Sequence, residues 1–271
     1  MHGFLKTIRK QLHINLKTLA VIGGQGMLGS DLVKYLSQSF LVTSISKENY
    51  SQFINHSFDV VVNANGNSKR FWAVKNPLKD FVLSTVSVYK SLFDFKFKTY
   101  IYVSSSDVYV DHSSIASTSE NQTQGQNKLS PYGFHKYLSE EIIKNHCKRY
   151  LILRASMVLG KNLKKGPLFD IVNNNPLFIS KTSRLQMIDT KEIANVIFFL
   201  INKQIKNETF NVGGKGVVDF EKIQTYFSTP VSFQNENETQ IYEMNVAKLN
   251  KLFPLKSSEV YLQEFINTLK Q

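Results

Sequence analysis

A tyrosine and a lysine stand four residues apart in Ser130-Pro131-Tyr132-Gly133-Phe134-His135-Lys136. Ser130 is a good N-cap, and Pro131 suits a first helical position, where a missing N–H costs nothing. The spacing predicts a helix that starts here and carries Tyr132 and Lys136 side by side on one face. An ammonium stabilises a neighbouring phenolate, so the Tyr132 pKa is expected to be drawn down towards working pH. Such a pair suits proton transfer to and from a sugar or alcohol oxygen. With 12 tyrosines in the chain, Tyr-x-x-x-Lys also arises about once by chance at this composition, so the motif needs its surroundings.

A second constellation lies upstream. Leu19-Ala20-Val21-Ile22 runs into Gly23-Gly24-Gln25-Gly26-Met27-Leu28-Gly29, and an amphipathic stretch follows through Leu32, Val33 and Leu36. This is the strand–turn–helix setting of a dinucleotide-binding turn. The glycines fit two phases, Gly24-x-Gly26-x-x-Gly29 and Gly23-x-x-Gly26-x-x-Gly29. They allow backbone to approach a pyrophosphate, and the new helix offers it N–H groups. Gly23, Gly26, Met27, Leu28 and Gly29 are the cofactor contacts expected here. The second strand, residues 41–45, ends at Ser46-Lys47-Glu48. Ser46 and Lys47 could accept a 2′-phosphate, whereas Glu48 keeps a ribose 2′-hydroxyl possible, so the reading leans to NADP with NAD open.

The elements that must position these groups alternate along the chain. Residues 58–63 read as a buried strand, followed by a polar loop with Asn65, Gly66 and Asn67. A helix over 77–92 precedes a strand over 99–103, with Ser104, Ser105 and Ser106 at its end. The polar run 111–129 is expected to be a long surface loop, and 150–154 a further strand. Beyond residue 160 the elements shorten, with helices expected at 190–204 and 257–270 and a strand at 209–212. Strands alternating with helices predict an α/β fold: a Rossmann-type doubly wound parallel sheet with a smaller C-terminal substrate-binding lobe. The boundaries expected are an extension over 1–17, a dinucleotide-binding domain over 18–160 and the lobe over 161–271. Ligands in such a sheet sit beyond the carboxyl ends of the strands.

Composition bounds the rest. A chain of 271 residues buries a full core. Its apolar run over 196–201 falls far short of the roughly 20 residues needed to cross a bilayer. The first 17 residues carry charges throughout and do not resemble a secretory signal. The single cysteine, Cys147, excludes an internal disulfide and agrees with a reducing, cytoplasmic setting. The net charge of +12 is spread without a dense basic tract, so nucleic acid is not expected as a partner; the field would attract an anionic nucleotide substrate. His135 and His146 lack metal-ligand spacing, and no metal is expected.

Taken in order, Gly23-x-x-Gly26-x-x-Gly29, the run from Tyr102-Val103 through Ser104-Ser105-Ser106-Asp107 to Val108-Tyr109, and Ser130-Pro131-Tyr132-x-x-x-Lys136 resemble the extended short-chain dehydrogenase/reductases of the NAD(P)-dependent epimerase/dehydratase group. Leu153-Arg154-Ala155-Ser156-Met157-Val158, Ile188-Asp189 before a helix, and Phe210-Asn211-Val212-Gly213-Gly214 extend the likeness over residues 18 to about 215. The resemblance implies that Tyr132 is the acid/base and that Lys136 binds the nicotinamide ribose and lowers the tyrosine pKa. Counted back from Val108-Tyr109, Ser105 is the implied hydrogen-bond partner of the reacting oxygen, with Ser106 as fallback. Asn63, Ala64 and Asn65 would line the cofactor, and Asn67, Trp72, Ser106 and Met157 would face substrate.

The implied reaction passes a hydride between nicotinamide and a carbon of a nucleotide-activated sugar, either reducing a 4-keto group or epimerising a hydroxyl. Helices near 77–92 and 130–148 would pair two copies into a homodimer. Some positions depart from the group's pattern. Ser106-Asp107 stands where its 4,6-dehydratases carry Asp-Glu, which argues against dehydration. Phe81 replaces a structural Asn, Val110 replaces a Gly, and the usual adenine-contacting aspartate is missing. The compact first half looks closer to dTDP-sugar 4-ketoreductases. A non-catalytic dinucleotide-binding protein is the alternative, and it would need neither Tyr132 nor Lys136.

Overall fold

Successive residues of strand β1 (Thr18–Ile22) feed two different apolar layers. Leu19 and Val21 join a cluster with Leu32, Leu36, Ile193 and Ile197, while Ala20 and Ile22 join another with Ile45, Val61, Tyr100 and Ile143. A strand that is apolar on both faces must be covered on both, which is the condition of a parallel sheet inside two helical layers. The computed structural model describes residues 16–122, 125–234 and 237–269. All but the last two residues of the extension expected over 1–17 lie outside these.

β1 is flanked by β2 (Leu41–Ile45) and β3 (Ser57–Asn63), and the sheet continues through β4 (Lys96–Ser105) and β5 (Tyr150–Ala155). After β6 (Met157–Leu159), β7 (Arg184–Leu185) and β8 (Met187–Asp189), the chain returns to this sheet as β9 (Glu208–Val212). The order is β2-β1-β3-β4-β5-β9, parallel at every pairing. The chain leaves β1 towards one edge and β3 towards the other, which opens a crevice at their carboxyl ends. Among the described residues there are two further small sheets: β6 beside β8, and β7 between β10 (Val218–Asp219) and β11 (Ile241–Tyr242).

Helices Met27–Leu36 and Thr190–Asn202 pack together over one face. The other carries helix Pro131–His146 and the helical run 77–94, which contains a π turn over Val82–Val86. Pro131 opens its helix, and Ser130 Oγ caps it by accepting from Gly133 N at 3.2 Å, as the sequence predicts.

Polar groups tie β5, β9 and the loop between β4 and helix Pro131–His146. Arg154 on β5 pairs with buried Glu140 at 2.7 Å and donates to Tyr109 Oη at 2.8 Å; Tyr109 donates in turn to Asn211 Oδ1 on β9 at 2.8 Å. The polar run after residue 110, expected to lie on the surface, is partly an internal strap. Thr118 is fully buried, its carbonyl accepts from Asn211 Nδ2 at 2.7 Å, and Glu120 Oε1 accepts from Asn211 N at 3.0 Å. The Glu120 carboxylate thus satisfies a backbone N–H of an edge strand, and the Thr118 hydroxyl donates to Ser114 O and Glu243 O and accepts from Asn245 N. Among the described residues no helix is long and apolar enough to cross a membrane.

Candidate active site

The glycine turn is folded back over β2. Gly23 N and Gly24 N both donate to Ile45 O, at 2.9 and 3.0 Å, and Gly26 N donates to Gly23 O at 2.9 Å. Helix Met27–Leu36 then begins at Gly26 without a side-chain cap. Its first turn carries no acidic residue, so its first N–H groups and the positive end of its dipole are suited to an anion from outside the helix. A Cβ on Gly29 would collide with the Gly23 carbonyl, so only glycine lets the helix start this close to the turn. An open helix start against a cradle that one methyl would fill fits a dinucleotide pyrophosphate.

The segment after β3 closes the other wall. Ala64 N donates to Ile22 O at 3.0 Å, Asn65 N donates to Asn63 Oδ1 at 2.9 Å, and the Asn65 backbone lies against Gly23. Asn63 itself is fully buried and donates to Tyr100 Oη at 2.7 Å. Its side chain braces the segment; the backbone of 64–65 forms the wall. At the end of β2, Ser46 is buried and its N–H donates to Asn49 Oδ1 at 2.7 Å. The Ser46 hydroxyl is the main cause holding the Glu48 carboxyl below its usual pKa. Ser46 and Glu48 thus belong to one capped turn, and Lys47 is exposed beside them. Asn49, which completes that turn, was legible only as a Ser-x-x-Asn spacing.

Tyr132 and Lys136 are buried against the carboxyl end of β4. Lys136 Nζ donates to Val103 O at 3.3 Å and sits 4.9 Å from the centre of the Tyr102 ring. Ser105, the last residue of β4, donates from Oγ to Asp107 Oδ2 at 2.8 Å, and Asp107 N donates back to Ser105 Oγ at 3.2 Å. A Cβ on Gly133 would overlap the Asp107 carbonyl. Glycine beside Tyr132 therefore lets the helix dock directly on the turn that follows Ser105.

Burial pushes the Tyr132 phenol above its ordinary pKa; Lys136 pulls it down, Asp107 pushes it up and Arg70 pulls it down again. The lowered value expected from the Tyr-x-x-x-Lys spacing is thus reversed. Lys136 acts in the predicted direction, but withdrawal of the phenol from water outweighs it.

On the outer side, Asp107 Oδ2 also accepts from Arg70 Nε at 2.8 Å, and the Arg70 guanidinium lies 4.4 Å from the Tyr242 ring centre. Tyr242 Oη stands 3.4 Å from Asp107 Oδ1. Lys165 has its pKa pulled down to about 8 by burial and by the charges of Arg70 and Lys69. Ser106 is buried at the head of the turn after β4, while Met157 and Trp72 are half-buried, the latter on the short helix Arg70–Lys75. Asn67 spends its amide on the chain: Nδ2 donates to Asp80 Oδ1 at 2.8 Å and to Lys69 O at 2.9 Å, and Oδ1 accepts from Lys69 N at 2.8 Å. These bonds shape its loop, and Oδ1 keeps a second lone pair beyond the bond from Lys69 N.

Sequence reasoning gave no site role to Arg70, Lys165 or Tyr242, and met Asp107 only inside a motif run and as a departure from the dehydratase pattern. Their signal is spatial, since Arg70 and Asp107 are 37 residues apart and Tyr242 lies 135 from Asp107.

The family described as the NAD dependent epimerase/dehydratase family matches residues 19–213 of the chain. Among solved structures, a UDP-galactose 4-epimerase aligns with a TM-score of 0.76 at 20% identity, covering 93% of this chain and 99% of that one. The dTDP-4-dehydrorhamnose reductase of Clostridium acetobutylicum aligns with a TM-score of 0.75 at 15% identity, covering 94% and 100%. For the UDP-glucuronic acid 4-epimerase of Bacillus cereus in complex with NAD, the values are 0.74, 18%, 94% and 97%. At these identities the likeness is one of fold. No curated protein sequence matches the chain.

Proposed function

Because the chain belongs to the NAD-dependent epimerase/dehydratase family, whose members are short-chain dehydrogenase/reductase enzymes, we propose that it reduces or epimerises a nucleotide-activated sugar. One observation carries this reading: Tyr132 and Lys136 are buried together against the carboxyl end of β4, whose last residue is Ser105. The nicotinamide cofactor, when bound, supplies the hydride acceptor or donor. The backbone of Gly23, Gly26, Met27, Leu28 and Gly29 would hold its pyrophosphate, with 63–65 as the facing wall. Exposed Lys47 beside Ser46 favours NADP over NAD.

The chain's own groups handle the proton. Tyr132 enters as a neutral phenol, since burial raises its pKa, and so is armed to donate to a developing alkoxide. Lys136 steadies the phenolate left behind, and in the opposite direction makes Tyr132 a competent base. Ser105 offers a second hydrogen bond to the same oxygen once its hydroxyl turns from Asp107. Lys69, Arg70 and Lys165 make the outer lip positive, which suits the diphosphate of a nucleotide sugar.

Residues 18–160 are read as the cofactor-binding part and 161–271 as the smaller substrate-binding part, apart from β9, which completes the main sheet. Two copies are proposed to pair through the run 77–94 and helix Pro131–His146. A reducing, cytoplasmic setting suits the buried free thiol of Cys147, whose pKa burial raises to about 12.

The test is a screen of nucleotide sugars with NADH and NADPH, following cofactor absorbance and product identity. Replacing Tyr132→Phe should cut turnover by about 10²- to 10⁴-fold with cofactor affinity retained. Undiminished turnover in that variant, or a wild-type protein that takes up no pyridine nucleotide, refutes the proposal. Cofactor that stays bound through purification points to epimerisation, and exchangeable cofactor to reduction.

A further inference from the structure

His135 lies between the two residues of the Tyr132–Lys136 pair, three positions after the first and one before the second. Its Nδ1 is 2.6 Å from Asp80 Oδ2, and both side chains are buried. Asp80 stands at the start of the run 77–94, 55 residues earlier in the chain. Its second oxygen accepts from Asn67 Nδ2 at 2.8 Å and from Ser84 Oγ at 3.5 Å. A carboxylate only accepts, so donors from three segments meet on this one group: the loop after β3, the carboxylate's own helix and the Tyr132 helix.

The backbone of His135 is held from the same side. Its carbonyl accepts from Thr85 Oγ1 at 3.0 Å and Ser139 Oγ at 2.8 Å, and the Phe81 ring meets the imidazole edge-on with centroids 5.4 Å apart. Positions 80 and 84 share a face of a regular helix, whereas 85 begins to leave it. With the wider π turn over Val82–Val86, Asp80 and Thr85 both reach His135, while Ser84 Oγ reaches Asp80. π turns of this kind are common beside functional sites.

We propose that Asp80 is the positioning residue of this site. Through His135 it fixes the turn that presents Tyr132 and Lys136; through Asn67 it fixes the loop that leads into Arg70. One buried carboxylate thus sets the proton-transfer side of the site against its positive outer lip. Asp80 touches neither substrate nor cofactor in this scheme, and it acts through its two partners. Apolar side chains of similar size would hold two helices at least as firmly. What they would lack is a directional link to a third segment. The proposal deepens the reading of Tyr132 as acid/base and rests on it, but its first test does not require turnover.

That test is hydrogen–deuterium exchange on the full chain with Asp80→Ala, Asp80→Asn, His135→Leu and His135→Gln. In Asp80→Ala, peptides spanning 130–140 and 64–73 should both exchange faster, on the order of tenfold, while those of β1 and β5 keep their protection. His135→Leu should loosen 130–140 alone, and His135→Gln, which keeps a donor for Asp80, should stay near wild type. Asp80→Asn preserves shape and serves if the alanine variant does not fold; it should loosen the same two segments to a smaller extent.

Faster exchange confined to 77–94, or spread evenly over the strands, overturns the proposal. In an enzyme with measurable turnover, Asp80→Ala should lower kcat by about 10- to 100-fold, with cofactor affinity and substrate KM little changed. An unchanged kcat, or parallel loss of cofactor binding and kcat, also overturns it. A wild-type protein without turnover refutes the proposed function and leaves the exchange result to decide the role of Asp80.

Discussion

Removal from water, rather than the nearest charge, sets protonation at two positions of this site. Tyr132 is kept neutral although Lys136 stands one turn along, and Lys165 is brought to a pKa of about 8 by burial and by Arg70 and Lys69. Lys165 carries its charge below that value and loses it above. If the lip binds an anionic substrate, KM should climb as pH rises through 8. Lys165→Gln should have a higher KM at pH 7 and lose that rise. A wild-type KM that is flat from pH 7 to 9 would remove Lys165 from binding. The spacing of Tyr132 and Lys136 was readable because four residues along a helix is local information. The sign of the tyrosine shift was not, since it depends on strands and turns far away in sequence. His135 illustrates the same limit: as a lone histidine it has no ligand spacing, and its partner Asp80 is 55 residues away.

At the scale of elements, helix Pro131–His146 is fastened to β5 by Glu140 and Arg154. Both are almost completely buried, and Arg154 Nε and Nη2 reach the two Glu140 oxygens at 2.7–3.2 Å. Ser104 Oγ adds a bond to Glu140 Oε1 at 2.6 Å, so β4 shares the fastening. Replacing Arg154→Met strands a carboxylate in the interior and should cost about 3–5 kcal/mol of stability, read as a lowered urea midpoint. A loss under about 1 kcal/mol would mean that the pair behaves as a surface bridge does. The strands and main helices were legible because apolar runs of four to six residues alternate with amphipathic stretches. The strap after residue 110 was not, because Thr118 and Glu120 look alike in sequence whether they meet water or the chain's own backbone. The helical run from Pro77 was expected, but its π turn has no pattern in a single sequence.

On the molecule as a whole, the helices that frame Tyr132 also leave a large apolar surface open. Leu78, Val82, Leu83, Val86 and Phe93 on the run 77–94 are exposed, as are Phe71, Val74 and Phe134 nearby. Exposed apolar side chains gathered on one helical run and its neighbours are a candidate pairing surface. The expected outcome is a homodimer by light scattering at micromolar concentration, and a monomer for the double variant Leu83→Glu, Val86→Glu. A wild-type monomer would refute the pairing. Since Asp80 is a buried residue of the same run and bonds His135, the double variant should also report whether pairing affects the site.

The last strand to enter the main sheet has a consequence for biosynthesis. β5 is complete at residue 155, yet its outer neighbour β9 begins only at residue 208. While the ribosome makes the intervening stretch, the emerging sheet ends in an open, hydrogen-bond-hungry border lined by Leu151, Ile152 and Leu153. A nascent chain that stalls in this interval would expose that border to other chains, so translation speed over residues 156–207 bears directly on aggregation.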